Sequence, residues 1–420
     1  MIPEDSPQGD LSLRFRAERR AIASSCCGFT GEAVLTESAV IMLYAGMLGA
    51  GEALKLLTTA VFPFLSGLLM IPMAFLALRG TCRRMTVSAT LTAGGAAFLA
   101  VLAPFCGNFR VAALSFALVV FAVSLSGFVA GWFPLLDTFL LPERRTVFLG
   151  RMRFCHQSCA VLFLVLAGCR LGSEPTLGQL QSVIALAAMI FLGRALFIAL
   201  LPRFREEKPA GLGRHDGIQT AWRNRRLRDG AGYLAGLNLA ACGITPLWIL
   251  YLQKSGQPDN VLICISAAAL SGMMLGYLVA GKYPVKDHIR MMGILHWALL
   301  ILTAVLLVLP TAGSLAAVLC GTVLGGCSFC IALISVNASA LMLAVAPPGN
   351  KIMAMALFGA LGNTGMGASR CLGALLIHSP LALRLEQGGF CNIFQLTLLL
   401  AVLLLAVLLL FRGRLRRIGG

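Results

Sequence analysis

Charge is what this sequence has least of. Only 12% of its 420 residues are Asp, Glu, Lys or Arg, and 17 acids stand against 34 Lys and Arg. With a mean hydropathy of +0.87, so little charge excludes a soluble globular domain, which carries about a quarter charged residues. Long polar intervals are equally scarce. Between the first thirty residues and the C-terminus there is one, from Pro202 to Asp229, with eight Lys/Arg against four acids. No P-loop and no nucleophile–base constellation is present, so neither ATP-driven transport nor intramembrane hydrolysis has support, and no enzyme is expected. A cleavable signal peptide is not visible either: the chain is polar and charged up to Arg20, and the first apolar run is too long for an h-region.

What is present is apolar sequence in long runs. About twenty apolar residues cross the ~30 Å hydrocarbon layer as a helix. Twelve such spans can be drawn, near 24–47, 53–78, 86–105, 111–136, 153–172, 180–201, 231–253, 260–281, 291–310, 316–341, 352–377 and 393–411. The expected fold is an all-α polytopic membrane protein, twelve transmembrane helices in two six-helix bundles. Its 45 glycines suit close helix packing in lipid. Most of the 14 cysteines lie inside apolar runs, where Cys behaves as a small hydrophobe. Cys155-His156-x2-Cys159 and Cys327-x2-Cys330 lack the further convergent ligands of a tetrahedral site, so no metal and no cofactor is expected.

Lys and Arg give the orientation. Alternate loops and both termini carry 27 of them, the intervening loops carry five (Lys55, Arg110, Arg170, Lys254, Arg384), and Arg194 and Arg370 fall within spans. This bias places both termini and the central linker in the cytoplasm of a multi-pass inner or plasma membrane protein. The net charge of +17 is then a record of topology with contact to anionic inner-leaflet lipid, and nucleic acid is not an expected partner. A repeat is visible too: Arg19-Arg20 with Arg225-Arg226, Leu43-Tyr44-x4-Gly49 with Leu250-Tyr251-x4-Gly256, Arg79 with Lys282 and Pro142 with Pro347, at offsets of 203 to 207. The chain divides as a tail (1–23), a six-helix bundle (24–201), a basic linker (202–230), a second bundle (231–411) and a basic tail (412–420), the halves related by an axis along the membrane normal.

Six plus six spans, a long basic linker, both termini inside and a parallel duplication resemble the major facilitator superfamily. That family carries a Gly-x-x-x-Asp-Arg-x-Gly-basic-basic signature between helices 2 and 3. The corresponding stretch here, Ala74 to Arg84, keeps Arg79, Arg83 and Arg84 but has Leu78 at the acid position. The second-half echo keeps Gly276 and Lys282 and has Ala280 where the acid would lie. Asp137-x4-Pro142-x-Arg144-Arg145 resembles the pattern after helix 4 in many bacterial members. The resemblance implies a cytosolic gate of Arg79, Arg83, Arg84, Arg144 and Arg145, with Asp137 as its latch acid. Helix 4 has no intramembrane Arg and helix 5 no Gly-Pro run, which argues against drug/proton antiport.

Ionisable residues at membrane depth are functional candidates by default. Counted from Arg20, Glu32 lies roughly 18 Å and Glu37 roughly 25 Å into the first span, about 140° apart around the helix. A carboxylate in a low-dielectric cavity can take up a proton near neutral pH. Thr36 shares the Glu32 stripe and Tyr44 the Glu37 stripe. Arg370, roughly 28 Å beyond Lys351, reaches a depth similar to Glu37 and could pair with it or bind an anionic substrate group, the alternative being an Arg that snorkels to the outer surface. Arg194 lies near a helix end and is expected to snorkel to the surface. His156, Gln157, Asn238, Asn337 and Asn363 complete the expected pathway, each weighed against a role as hydrogen-bonding glue between helices. Pro246 should free a backbone carbonyl and kink the seventh span. His296 has no visible partner. The expectation is a monomeric secondary active transporter of a small solute, with proton coupling as an option; the alternative is a transporter-like sensor or scaffold that binds a ligand without moving it.

Overall fold

In hydrocarbon no water is available to backbone amides, so a chain this apolar must satisfy them within helices. The computed structural model describes residues 7–141, 144–202, 204, 214–283, 285, 287–346, 351–380, 384 and 392–410, and all their regular structure is helical. α1 (Pro7–Thr36) and α2 (Ala39–Met47) form one span bent by 46°. Then come α3 (Glu52–Arg79), α4 (Cys82–Leu102), α5 (Arg110–Asp137), α6 (Arg145–Leu171) and α7 (Leu177–Ala199). A short helix, α8 (Arg214–Arg223), occupies part of the linker. α9 (Arg225–Ala241) and α10 (Ile244–Lys254) again make one interrupted span, followed by α11 (Asp259–Lys282), α12 (His288–Leu306), α13 (Ser314–Val345), α14 (Lys351–Ile377) and α15 (Ile393–Leu410).

Among the described residues nine helical stretches are long and apolar enough to cross a bilayer, and the bent α1–α2 pair makes a tenth. One of the nine, Cys82–Asp137, is two spans. A 3-10 turn over Ala103–Phe109, with Gly107 at φ 56°, reverses the chain so that α5 returns along α4. The 27-residue α14 is less apolar than these and occupies the place of the eleventh expected span, so that with it the described helices fill all twelve expected positions.

The repeat survives as geometry. Gly49 and Gly256, which end α2 and α10, both take positive φ (93° and 83°), a conformation that favours glycine. The first span of each half is broken at matching points, after Thr36 and after Ala241. Between the halves α3 runs along α14 and α6 along α11. Small residues allow this approach: a Cβ on Gly67 would strike Thr364, and one on Gly367 would strike Phe64. Pro142, Lys286, Pro347, most of the linker, the 412–420 tail and the side chains of Leu78, Arg79 and Lys351 lie outside the described residues.

Candidate functional site

Two prolines and two helix breaks prepare the site. Within a helix each carbonyl bonds the N–H four residues on, and proline has none. Pro63, inside α3, therefore orphans the carbonyl of Thr59. Pro246 orphans that of Cys242, the kink expected of the seventh span. The break after Thr36 leaves that carbonyl without a helical donor too.

All three carbonyls are taken by one side chain. Arg370 of α14 donates from Nε to Cys242 O (3.3 Å) and from Nη1 to Thr36 O (3.3 Å) and Thr59 O. Its Nη2 faces Glu37 Oε1 at 3.7 Å, an ion pair longer than a hydrogen bond. The neighbouring Ser369 hydroxyl accepts from Gly243 N (2.9 Å), and Ser266 accepts from Ala39 N (3.0 Å), so the amides freed by the breaks are satisfied as well. Arg370 is 5% exposed. Its guanidinium thus joins the first span and α3 of one half to the first span of the other, and a lone buried charge is avoided. Beside it is a cavity of about 70 Å³, bordered by Glu37, Thr59, Thr245, Ser266, Ser328 and Arg370, among others.

Glu32 faces elsewhere. Its Oε2 lies 3.1 Å from Arg194 Nη2 of α7, within the first half. Arg194 does not snorkel. It is 3% exposed, with Phe128 4.1 Å and Phe191 5.0 Å from its guanidinium carbon. Space for it exists because residue 28 is glycine: a Cβ there would overlap the guanidinium. The expectation of a surface arginine fails because residue counting gives depth along a helix and not the direction a side chain takes. Gly28, one turn before Glu32 on the same face, was the signal that could have found the pair.

The remaining pathway candidates are scattered. Thr36 contributes its carbonyl, while its hydroxyl bonds Glu32 O (2.9 Å). Tyr44 is fully buried and donates to Ala100 O (2.9 Å), an anchor between α2 and α4. Asn238 donates to Gly362 O (3.0 Å), joining α9 to α14, and Asn337 pairs with His288 (2.8 Å), joining α13 to α12. Asn363 donates to Ser66 Oγ (3.2 Å) across the halves. His156 stacks on Phe29 with centroids 4.4 Å apart, and Gln157 is buried. His296, given no role from sequence, meets Tyr233 OH (2.7 Å) and Leu405 O (3.0 Å).

At the end of the molecule where α1 begins, Asp137 lies 2.9 Å from Arg145, and Arg144 lies 3.1 Å from Glu18. Arg83 donates to Ala199 O, and Arg84 is exposed. Both ion pairs stay within the first half, so neither ties the halves together. At the opposite, far end the ion pair Lys254–Glu52 (3.5 Å) and the hydrogen bond Lys55–Gln253 (3.3 Å) do cross. Among the described residues, ion pairs between the halves occur in the middle and at the far end.

No family model matches this chain, and no curated protein does. Solved structures do. The nucleoside transporter NupG is 13% identical with a TM-score of 0.66, covering 96% of this chain and 98% of that one. A bacterial homologue of the human lysosomal transporter Spinster is 14% identical with a TM-score of 0.66, covering 98% of each. The E. coli fucose:proton symporter FucP, in a single-residue variant, is 13% identical with a TM-score of 0.62, covering 96% and 98%. The fold is that of major facilitator transporters, and the chain is an all-α integral membrane protein.

Proposed function

We propose that this chain is a secondary active transporter that carries a small solute by alternating access. The observation that carries the reading is the Glu37–Arg370 pair at the broken first spans, between the two halves and beside a cavity. Discontinuous helices at the interface of a transporter's repeats are where substrate and coupling ions bind. The fold shared with NupG and FucP supports a transporter over a sensor or scaffold. Glu37 is the proposed proton site: it is the one carboxylate bordering the cavity among the described residues. Glu32, already held by Arg194, stiffens the first half. The basic loops support an orientation with both termini in the cytoplasm; in that frame the crossing Lys254–Glu52 pair closes the outer end. The arginine cluster with Asp137 is proposed as the cytosolic gate region, its first-half pairs bracing α1, α5 and α6.

The test is flux. Purified protein in proteoliposomes, offered pools of labelled metabolites, should take up at least one solute faster than protein-free vesicles, and a pH gradient should raise its accumulation. Ligand binding without flux would favour a sensor.

A further inference from the structure

The guanidinium of Arg370 is not open to a ligand on all sides. Nε and Nη1 are committed to three carbonyls, and among the described residues Nη2 has only the 3.7 Å contact to Glu37. Two hydroxyls bordering the same cavity, Thr245 and Ser328, make no hydrogen bond among the described residues. The Nη2 amino group and two hydroxyls therefore remain to meet a ligand. Glu37 and Arg370 are the two charged side chains in the cavity wall, so with both ionised its net charge is zero. Protonating Glu37 would leave one uncompensated positive charge in a place where a lone charge is costly.

We propose that a small monocarboxylate and one proton bind this cavity together, the proton on Glu37 and the carboxylate in the place Glu37 leaves beside Arg370 Nη2. This rests on the transporter reading above and names its substrate class. The step is electrically balanced: one proton adds to the Glu37 carboxylate, one anion replaces it as partner of the guanidinium, and the cavity returns to neutrality. No covalent bond forms other than the O–H. One uncompensated positive charge selects a monovalent anion, held end-on because Nη2 is the one guanidinium nitrogen left without a hydrogen bond among the described residues. About 70 Å³ is room for a handful of waters, or for a carboxylate with a short side chain, at roughly 10–15 Å³ per water. Other groups whose fields reach Glu37 are Cys242 at the α9–α10 break, Tyr277 on α11 and Glu32 on α1. Glu32 is compensated by Arg194, and Tyr277 lies under Arg153 of α6 (5.1 Å).

The experiment uses the full chain in proteoliposomes, with labelled glycolate, lactate and glycerate as probes, and glycolamide, lactamide and glycerol as their neutral partners. An inside-alkaline gradient of about one pH unit should drive up to about tenfold accumulation of at least one acid above protein-free vesicles. A potassium diffusion potential should leave its initial rate unchanged, because proton and anion cancel. Glu37→Gln should abolish gradient-driven accumulation while keeping exchange against internal acid, and Arg370→Met should lose both. Glu37→Asp, which keeps the titrating group, should restore part of the accumulation and so separate a proton role from misfolding. Preference for the neutral partners, transport of the acid driven by the potential, or Glu37→Gln accumulating like wild type would overturn the proposal while leaving a transporter in place. If no acid, neutral solute or metabolite pool enters faster than into protein-free vesicles, the transporter reading falls and this proposal falls with it.

Discussion

Two buried arginines meet two acids of the same span, and their surroundings differ. Arg194 pairs with Glu32 at 3.1 Å inside one half, between aromatic rings and above a glycine. Arg370 faces Glu37 at 3.7 Å across both halves and spends its hydrogen bonds on backbone carbonyls. The first pair is short and embedded in packing, so removing one partner strands a charge. The second is long and borders a cavity, and its arginine stays held by carbonyls when the acid is neutralised. Under the proposed function, burial alone does not separate a structural charge from a working one. What separates them is whether the arginine keeps other partners, backbone carbonyls and a cavity open to a second anion, when its acid is neutralised.

The largest effect should come from breaking the tighter pair. Glu32→Gln should destabilise the detergent-purified protein by about 3–5 kcal/mol, and the double variant Glu32→Gln/Arg194→Met should recover part of it, because half a buried pair costs more than none. Thermal unfolding of the three variants checks this. Gly28→Ala should approach the same loss, since its Cβ would occupy the guanidinium's place. Next is Arg370→Met, which removes the donor of three carbonyls; water in the adjoining cavity can replace part of it, so the loss should be about 1–3 kcal/mol in all. Glu37→Gln should lower the melting point less than Arg370→Met does, because the carbonyls keep their donor; an equal loss would mean that the ion pair, and not the carbonyl set, holds Arg370. Pro63→Ala restores a helical N–H to Thr59 O and should weaken one Arg370 contact, with a net change of about 1 kcal/mol. The smallest effect belongs to Lys254→Met: its pair with Glu52 is part-exposed and is worth about 0–1 kcal/mol.

Much of this was legible in the sequence. Apolar runs long enough to span lipid gave twelve helices, because lipid leaves the backbone no other way to bond. Depth counting from basic anchors brought Glu37 and Arg370 to one level, and Pro246 announced a freed carbonyl. The donor that takes that carbonyl was not legible, since Arg370 lies 128 residues beyond Cys242 in the chain. Pro63 went unread, although it makes the same opening in α3, because a single proline in a membrane helix has several ways of being satisfied. Arg194 was misplaced for a related reason: its direction depends on α7 packing against α1. Asn238 and Asn337 turned out to bond neighbouring helices, which residue type alone does not distinguish from a cavity lining.

The central claim is that the two pairs divide labour, one for the fold and one for coupling. The direct measurement is gradient-driven accumulation per folded molecule in proteoliposomes, compared between Glu32→Gln/Arg194→Met and Glu37→Gln. The account predicts that the first variant, once folded, accumulates solute like wild type and the second does not, while both still exchange it. Loss of accumulation in the first with wild-type accumulation in the second would contradict it.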